Sequence, residues 1–242
     1  MDLELAGKTA LVVGAAGSMG EAVTQGFLDE GAAVVACDME DRLAEVNQGA
    51  ERIAIDVTSP ESVRQAEQAA VASRGRIDVL VMLAGIYQAK PVVDIEPEEW
   101  DRLMNVNLRG TFLLAREVLP LMKSSDFGRM VLIASLAGQV GGMVAGAHYA
   151  ASKAGVLSLV KSLAKQSPEP WITVNAVSPG PMQGAMTDAW PAEDRERMLE
   201  TIPMGRFARP REIADAVLFL SSPRTGYIHG ARIDVNGGVH MD

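Results

Sequence analysis

Short, nearly uninterrupted apolar runs recur along the chain, each followed by a longer stretch in which apolar positions return every three or four residues. Runs of the first kind read as strands buried on both faces, and the stretches between them as helices laid on a sheet. Thr9–Val13, Ala32–Cys37, Glu51–Ile55, Asp78–Leu83, Met130–Ser135, Trp171–Val177 and Ala231–Val235 are the expected strands. Helices are expected from the turn at 14–20 to about Glu30, from Pro60 to about Arg74, and from Pro97 as one long helix to near Lys123. Two more should run from about Ala147 to Gln166 and from Arg211 to Leu220. Ser59-Pro60-Glu61-Ser62 is a sound helix beginning, with proline just inside the start and an acid in the first turn. Residues 138–146 read as a glycine-rich loop, and Pro181 to about Ala208 as irregular or helical. Strict β/α alternation with no long polar linker predicts an α/β chain with one doubly wound parallel sheet, a single three-layer α/β/α domain over 1–242.

Composition narrows the function classes. The formal net charge of −9 argues against non-specific nucleic-acid binding and against anionic membrane surfaces. No apolar run reaches the ~18 residues of a membrane span, and no charged start leads into a signal-like core. The single cysteine, Cys37, cannot form an internal disulfide and falls within an expected strand; a reducing cytoplasm suits it. Three scattered histidines and one cysteine leave no basis for a transition-metal site.

Three motifs carry chemistry. Gly14-Ala-Ala-Gly17-Ser-Met-Gly20 stands between a strand and a helix, an arrangement that aims free backbone N–H groups at a pyrophosphate. Asp38 ends the second strand, eighteen residues past Gly20, where a carboxylate can accept hydrogen bonds from the adenosine ribose hydroxyls and repel a 2′-phosphate. Met39 beside it and Ser18 in the turn are not basic, and Arg42 is the only nearby cation, so NAD is expected rather than NADP. Tyr149 and Lys153 stand four apart on a helix and share a face. A free phenol has a pKa near ~10, and an adjacent cation favours its ionised form. All the candidates, from Gly14 and Asp38 to Asp56, Gly85, Ser135 and Pro179, fall at expected strand C-termini, where ligands of such sheets bind.

Taken together, the glycine turn, Asp56-Val57, Ala84-Gly85, Asn107, Ser135, Tyr149-x-x-x-Lys153 and Pro179-Gly180 resemble the short-chain dehydrogenase/reductases over essentially the whole chain. The resemblance implies a Rossmann-like fold, NAD(P)-dependent hydride transfer, a cofactor half of about 1–130, a catalytic and substrate half of about 131–242 with a mobile lid at 181–208, and a homotetramer or dimer. The long helix ending at Lys123 and the Tyr149 helix would be its subunit faces. It further implies that Tyr149 is the general acid/base, that Lys153 lowers its pKa and binds ribose, that Ser135 binds the substrate oxygen, and that Asn107 positions a relay water. The cofactor would lie along Gly14, Ala16, Gly17, Ser18, Met19 and Gly20, then Asp38, Met39, Asp56 and Val57. Leu83, Ala84, Gly85, Tyr149, Lys153, Pro179, Gly180 and Met182 would complete its bed.

Four positions depart from the family pattern. Val13 stands for threonine, Ser18 for glycine, Leu83 for asparagine and Gly184 for a frequent threonine. At Val13 and Leu83, apolar contacts are expected to replace hydrogen bonds between loops. Relatives that act on an acidic carrier protein present a cation just before the sixth strand; here Ser167-Pro-Glu-Pro-Trp171 has none. The expected substrate is therefore a small, apolar secondary alcohol or ketone, lined by Ser135, Met143, Tyr149, Met186 and Trp190. A 3-oxoacyl thioester is the alternative, and a nucleotide-binding regulatory protein without turnover is the rival from another class.

Overall fold

The computed structural model describes residues 2–142 and 145–242. Seven parallel strands form one sheet in the order β3-β2-β1-β4-β5-β6-β7. They are β1 (Thr9–Val13), β2 (Ala33–Asp38), β3 (Glu51–Ala54), β4 (Val79–Met82), β5 (Gly128–Ile133), β6 (Ile172–Pro179) and β7 (Arg232–Val235). All seven expected strands form, their ends shifted by one or two residues. The chain steps outward from β1 through β2 to β3, then crosses back to β4 on the other side of β1; the winding reverses beside β1, and ligands of such sheets bind at that point.

The apolar runs are continuous because both sheet faces are covered. Leu11 and Val13 of β1 point into one core with Leu80, Met82, Met130 and Leu132. Ala10 and Val12 point into the other with Val34, Val79 and Val131. Helices α1 (Ser18–Asp29) and α9 (Pro210–Ser221) cover the second core, burying Val23, Phe27, Ile213 and Val217. Helices α2 (Pro60–Arg74), α4 (Gly110–Lys123) and α6 (Ala147–Lys165) cover the first. The start signal before α2 works as read: the Ser59 side chain accepts the Ser62 N–H, and Gly75 ends the helix at φ +77°.

The helix expected from Pro97 to Lys123 is not continuous. It divides into α3 (Pro97–Met104) and α4, joined by a π-helical turn at Asn105–Arg109. Asn107 lies within that turn and is fully buried. The glycine-rich loop after β5 contains a short helix, α5 (Ala137–Val140). The 181–208 segment holds α7 (Ala185–Asp188) and α8 (Ala192–Thr201). Its two ends are clipped together, Ala208 N–H to Pro181 O at 3.0 Å and Gln183 N–H to Ala208 O at 2.9 Å. Met198, Ile202 and Phe207 give it a small core of its own. Among the described residues no helix is long and apolar enough to cross a membrane, and no cluster of His, Cys, Asp and Glu could hold a metal ion.

Candidate active site

One cleft of about 950 Å³ opens along the C-terminal ends of the strands. At its floor, the Gly14–Gly20 turn is tied to β2 by backbone bonds: Gly14 and Ala15 N–H both reach Cys37 O, at 2.8 and 3.1 Å. Gly14 sits at φ +92°, and a Cβ there would lie 2.4 Å from the Ala84 nitrogen. At Gly20 a Cβ would lie 2.3 Å from Gly14 O, so the helix could not approach the strand. Gly17 caps α1 with no side chain over its first-turn N–H groups, and a Cβ at Gly17 would meet nothing within 4 Å. Open donors at a helix N-terminus beside uncrowded backbone fit the diphosphate of a dinucleotide.

Asp38 is buried, with Oδ2 accepting the Ala16 N–H and Oδ1 the Met39 N–H, both at 2.8 Å. Its carboxylate therefore shapes the glycine turn as well as facing the cleft; each oxygen keeps a second lone pair for a ribose hydroxyl. Arg42, the only cation expected near Asp38, pairs with Glu45 at 2.8 Å. It also donates to Ala16 O at 3.2 Å and lines the cleft. Asp56 and Val57 line the next stretch, with Asp56 Oδ1 held by the Thr58 N–H and hydroxyl at 2.8 and 2.7 Å.

The four departures from the family pattern have local answers. Val13 and Leu83 need not be tied by apolar contacts alone, as expected from sequence: Val13 O accepts both Leu83 N–H and Ala84 N–H, at 2.8 and 2.9 Å. Ser18 and Gly184 are facing partners, since a Cβ on Gly184 (φ +148°) would sit 3.0 Å from Ser18 Oγ. A hydroxyl absent at 184 stands instead at the buried Thr187, which donates to Met182 O at 2.6 Å and lines the cleft.

Across the cleft, α6 presents Tyr149 and Lys153 on one face. Lys153 Nζ lies 6.0 Å from the Tyr149 ring centroid and donates to Ile133 O at 2.8 Å. Burial pushes the ammonium down to about 8. The expectation that Lys153 depresses the phenol's pKa is not met in this state. Burial raises Tyr149, and only the Ser135 hydroxyl pulls it down. Ser135 lies two residues past the end of β5, in the loop rather than the strand, and its Oγ accepts the Ala137 N–H at 3.2 Å. A Cβ on Gly85 would come 3.5 Å from Lys153 Nζ and 3.2 Å from Asn107 Oδ1, so glycine here keeps the space between them open.

Asn107 commits both amide N–H donors and one lone pair of Oδ1 to the fold. Oδ1 accepts Ile86 N–H at 2.8 Å, and Nδ2 donates to Ile86 O at 2.9 Å and to Ser152 Oγ at 3.1 Å. Its carbonyl already accepts the Thr111 hydroxyl at 2.7 Å. The side chain thus fixes the Ile86 loop against α6. Pro179 and Gly180 end β6 in the cleft, Gly180 donating to Val235 O at 2.9 Å. Met182, Met186 and Trp190 line the outer wall, whereas Met143 lies outside the described residues.

Sequence reasoning passed over Tyr87. Its ring meets Tyr149 edge-on at 5.1 Å and Trp190 at 6.1 Å, and Trp190 in turn meets Phe207 at 6.1 Å. The signal available was its position, two residues after Ala84-Gly85 at the end of β4. The Ser167–Trp171 stretch lies at the N-terminal edge of β6, across the sheet from the cleft. Its lack of a cation says nothing about the entrance of this subunit. Arg206 and Arg209 both pair with Glu212 at the start of α9 and are surface groups, not a carboxylate clamp.

A family model described as enoyl-(acyl carrier protein) reductase matches residues 14–240. The 3-oxoacyl-[acyl-carrier-protein] reductase of Thermotoga maritima is 38% identical, over 98% of this chain and 99% of that protein. Its counterpart from Vibrio cholerae is 36% identical over 99% of this chain and the whole of that protein. Among solved structures, that of gox2181 superposes with a TM-score of 0.93 at 29% identity, covering 98% of this chain and 97% of that one. The ligand-free aldohexose dehydrogenase of Thermoplasma acidophilum superposes at 0.90 with 28% identity, covering 99% and 96%. The chain belongs to the short-chain dehydrogenase/reductase family, oxidoreductases that work with a nicotinamide cofactor.

Proposed function

We propose that the protein reduces the ketone of a 3-oxoacyl thioester with NADH. One observation carries the reading: Tyr149, Lys153 and Ser135 line the same cleft as the open N-terminus of α1 and Asp38. The nicotinamide, when bound, supplies the hydride. Tyr149 gives the proton to the ketone oxygen, and Ser135 donates a hydrogen bond to that oxygen as negative charge develops on it. A phenol raised by burial is protonated at neutral pH and therefore suited to the acid's part in reduction. Lys153, charged below about pH 8, holds ribose hydroxyls and brings its charge to bear on the phenol during the reaction. Asn107 is a positioning residue, spent on Ile86 and Ser152.

The relatives' names favour a 3-oxoacyl thioester over the free secondary alcohol that composition suggested. A second reading, turnover of a small apolar alcohol or ketone, draws on the Met182, Met186 and Trp190 wall. For the cofactor, Asp38 supports NADH while Arg42 in the cleft is the residue through which NADPH would gain.

The test is nicotinamide absorbance with a 3-oxoacyl thioester and a plain ketone, using both cofactors. Tyr149→Phe should lower kcat roughly 10²–10⁴-fold, with cofactor binding retained. Asp38→Asn, which keeps an acceptor for the Ala16 N–H, should move the NADH/NADPH preference about tenfold toward NADPH, about 1.4 kcal/mol. Oxidation of neither cofactor with any carbonyl, or an undiminished Tyr149→Phe, would sink the reading.

A further inference from the structure

Two donors in the cleft wall complete no well-formed hydrogen bond. The Tyr87 hydroxyl and the Trp190 indole N–H are both buried and face each other, near enough for the indole to pull the phenol's pKa down but without good hydrogen-bond geometry among the described residues. They belong to different walls, Tyr87 to the loop after β4 and Trp190 to the segment after α7, with ring centroids 6.1 Å apart and planes tilted by 34°. The remaining edge of Tyr87 faces the Tyr149 ring at 5.1 Å, so the pair stands one ring away from the reacting phenol.

The loop holding Tyr87 is pinned on both sides. Ile86 gives both backbone groups to the Asn107 amide. Gln88 accepts the Gly146 N–H at 2.9 Å on its carbonyl, bonds His148 Nε2 at 2.8 Å and donates to Glu99 at 2.6 Å. Glu99 also holds Lys90 at 2.6 Å. A side chain this firmly set, with its polar end left unsatisfied, is prepared for a ligand atom.

We infer that Tyr87 and Trp190 together take the second carbonyl oxygen of the substrate, the one two carbons from the reacting ketone. The inference rests on the 3-oxoacyl reading and deepens it. An indole N–H is only a donor. Burial pushes the Tyr87 phenol up to about 12, so it too is protonated and able to donate. Two neutral donors fit one acceptor oxygen. Besides burial, the Tyr149 phenol and, more weakly, the Asp194 carboxylate push Tyr87 up against the pull of the Trp190 N–H, and no cation is among the groups that shift it. A carboxylate ligand would therefore be repelled, and an uncharged ester or thioester carbonyl accepted. A plain ketone has no atom for the pair and leaves both donors unpaired.

The test compares a 3-oxo ester, the matching 3-oxo acid and a plain ketone of equal length, by kcat/KM of the whole protein. The parent should prefer the ester to both others. Tyr87→Phe should lower the ester/ketone ratio at least tenfold, and Trp190→Phe should lower it in the same direction. Equal losses on ester and ketone would make Tyr87 merely structural and overturn the pair, as would an unmoved ratio. If Tyr87→Phe fails to fold, judged by thermal melting, the ratio for Trp190→Phe decides alone. A parent that reduces plain ketones but no 3-oxo compound brings down the functional reading and the pair with it. A parent that reduces the ester while the variants keep its ratio removes the pair only.

Discussion

The two walls of the cleft are built on different principles. The cofactor wall is backbone on backbone: Gly14 against Ala84, the Ala16 N–H on Asp38, Val13 O taking two N–H groups. Every spacing there is set by hydrogen-bond length, and glycine is needed where a Cβ would collide. The substrate wall is side chain on side chain, with Met186 exposed, Trp190 half-buried and a core of three residues, Met198, Ile202 and Phe207, beneath them. A few aromatic and thioether contacts can re-form in several arrangements, whereas a strand-to-turn hydrogen bond cannot. The contrast assigns rigidity to the wall proposed to hold the dinucleotide, and adaptability to the wall proposed to meet the variable part of the substrate.

That contrast can be broken by substitution. The largest effect is expected at Gly14→Val, which forces a branched side chain into φ +92° and against the Ala84 backbone. It should cost about 3 kcal/mol or more, read by denaturant unfolding, and abolish cofactor binding. A Gly14→Val protein of near-parental stability would show that the cofactor wall is not rigid.

Next comes Lys153→Met, at the seam between the walls. The lysine's folded pKa of about 8 lies below its unfolded value, so the folded state pays to keep it charged. That penalty is full below pH 8, shrinks as pH rises toward the unfolded pKa of ~10.4, and is absent above it. Lys153→Met should therefore gain about 2 kcal/mol at pH 7 after the lost Ile133 bond, while turnover falls to background. The gain should fade when unfolding is repeated near pH 10; a gain that is constant with pH would contradict buried charge as its cause.

The smallest effect is expected at Met186→Ala. Its side chain is 47% exposed, so stability should change by less than about 0.5 kcal/mol. KM for longer acyl chains should nonetheless rise a few-fold while that for the shortest chain stays put. Stability loss as large as at Gly14 would erase the distinction between the walls.

Much of this was legible in advance. The seven strands follow from apolar runs, and Gly14, Asp38, Tyr149 and Lys153 from spacing, because each is governed by neighbours within a few residues or by the common edge of the sheet. The π turn was not legible. Pro97 to Lys123 has helical periodicity throughout, and what marks the turn is the set of bonds that buried Asn107 makes to Ile86 and Ser152, both distant in the chain. Nor was the partnership of Ser18 with Gly184, or the commitment of Lys153 to Ile133, since both join segments far apart in the chain.

Local pattern alone thus determined the α/β order, the glycine turn, the acidic end of β2 and the shared face of Tyr149 and Lys153, for short-range sterics and periodicity act within a single element. Tertiary structure alone decided what those groups can do: which carbonyl occupies the amine, how far burial lifts the phenol, and that Tyr87 meets Trp190 across more than a hundred residues. Burial and electrostatics depend on everything packed around a group, and that neighbourhood exists only once the sheet has closed over both faces.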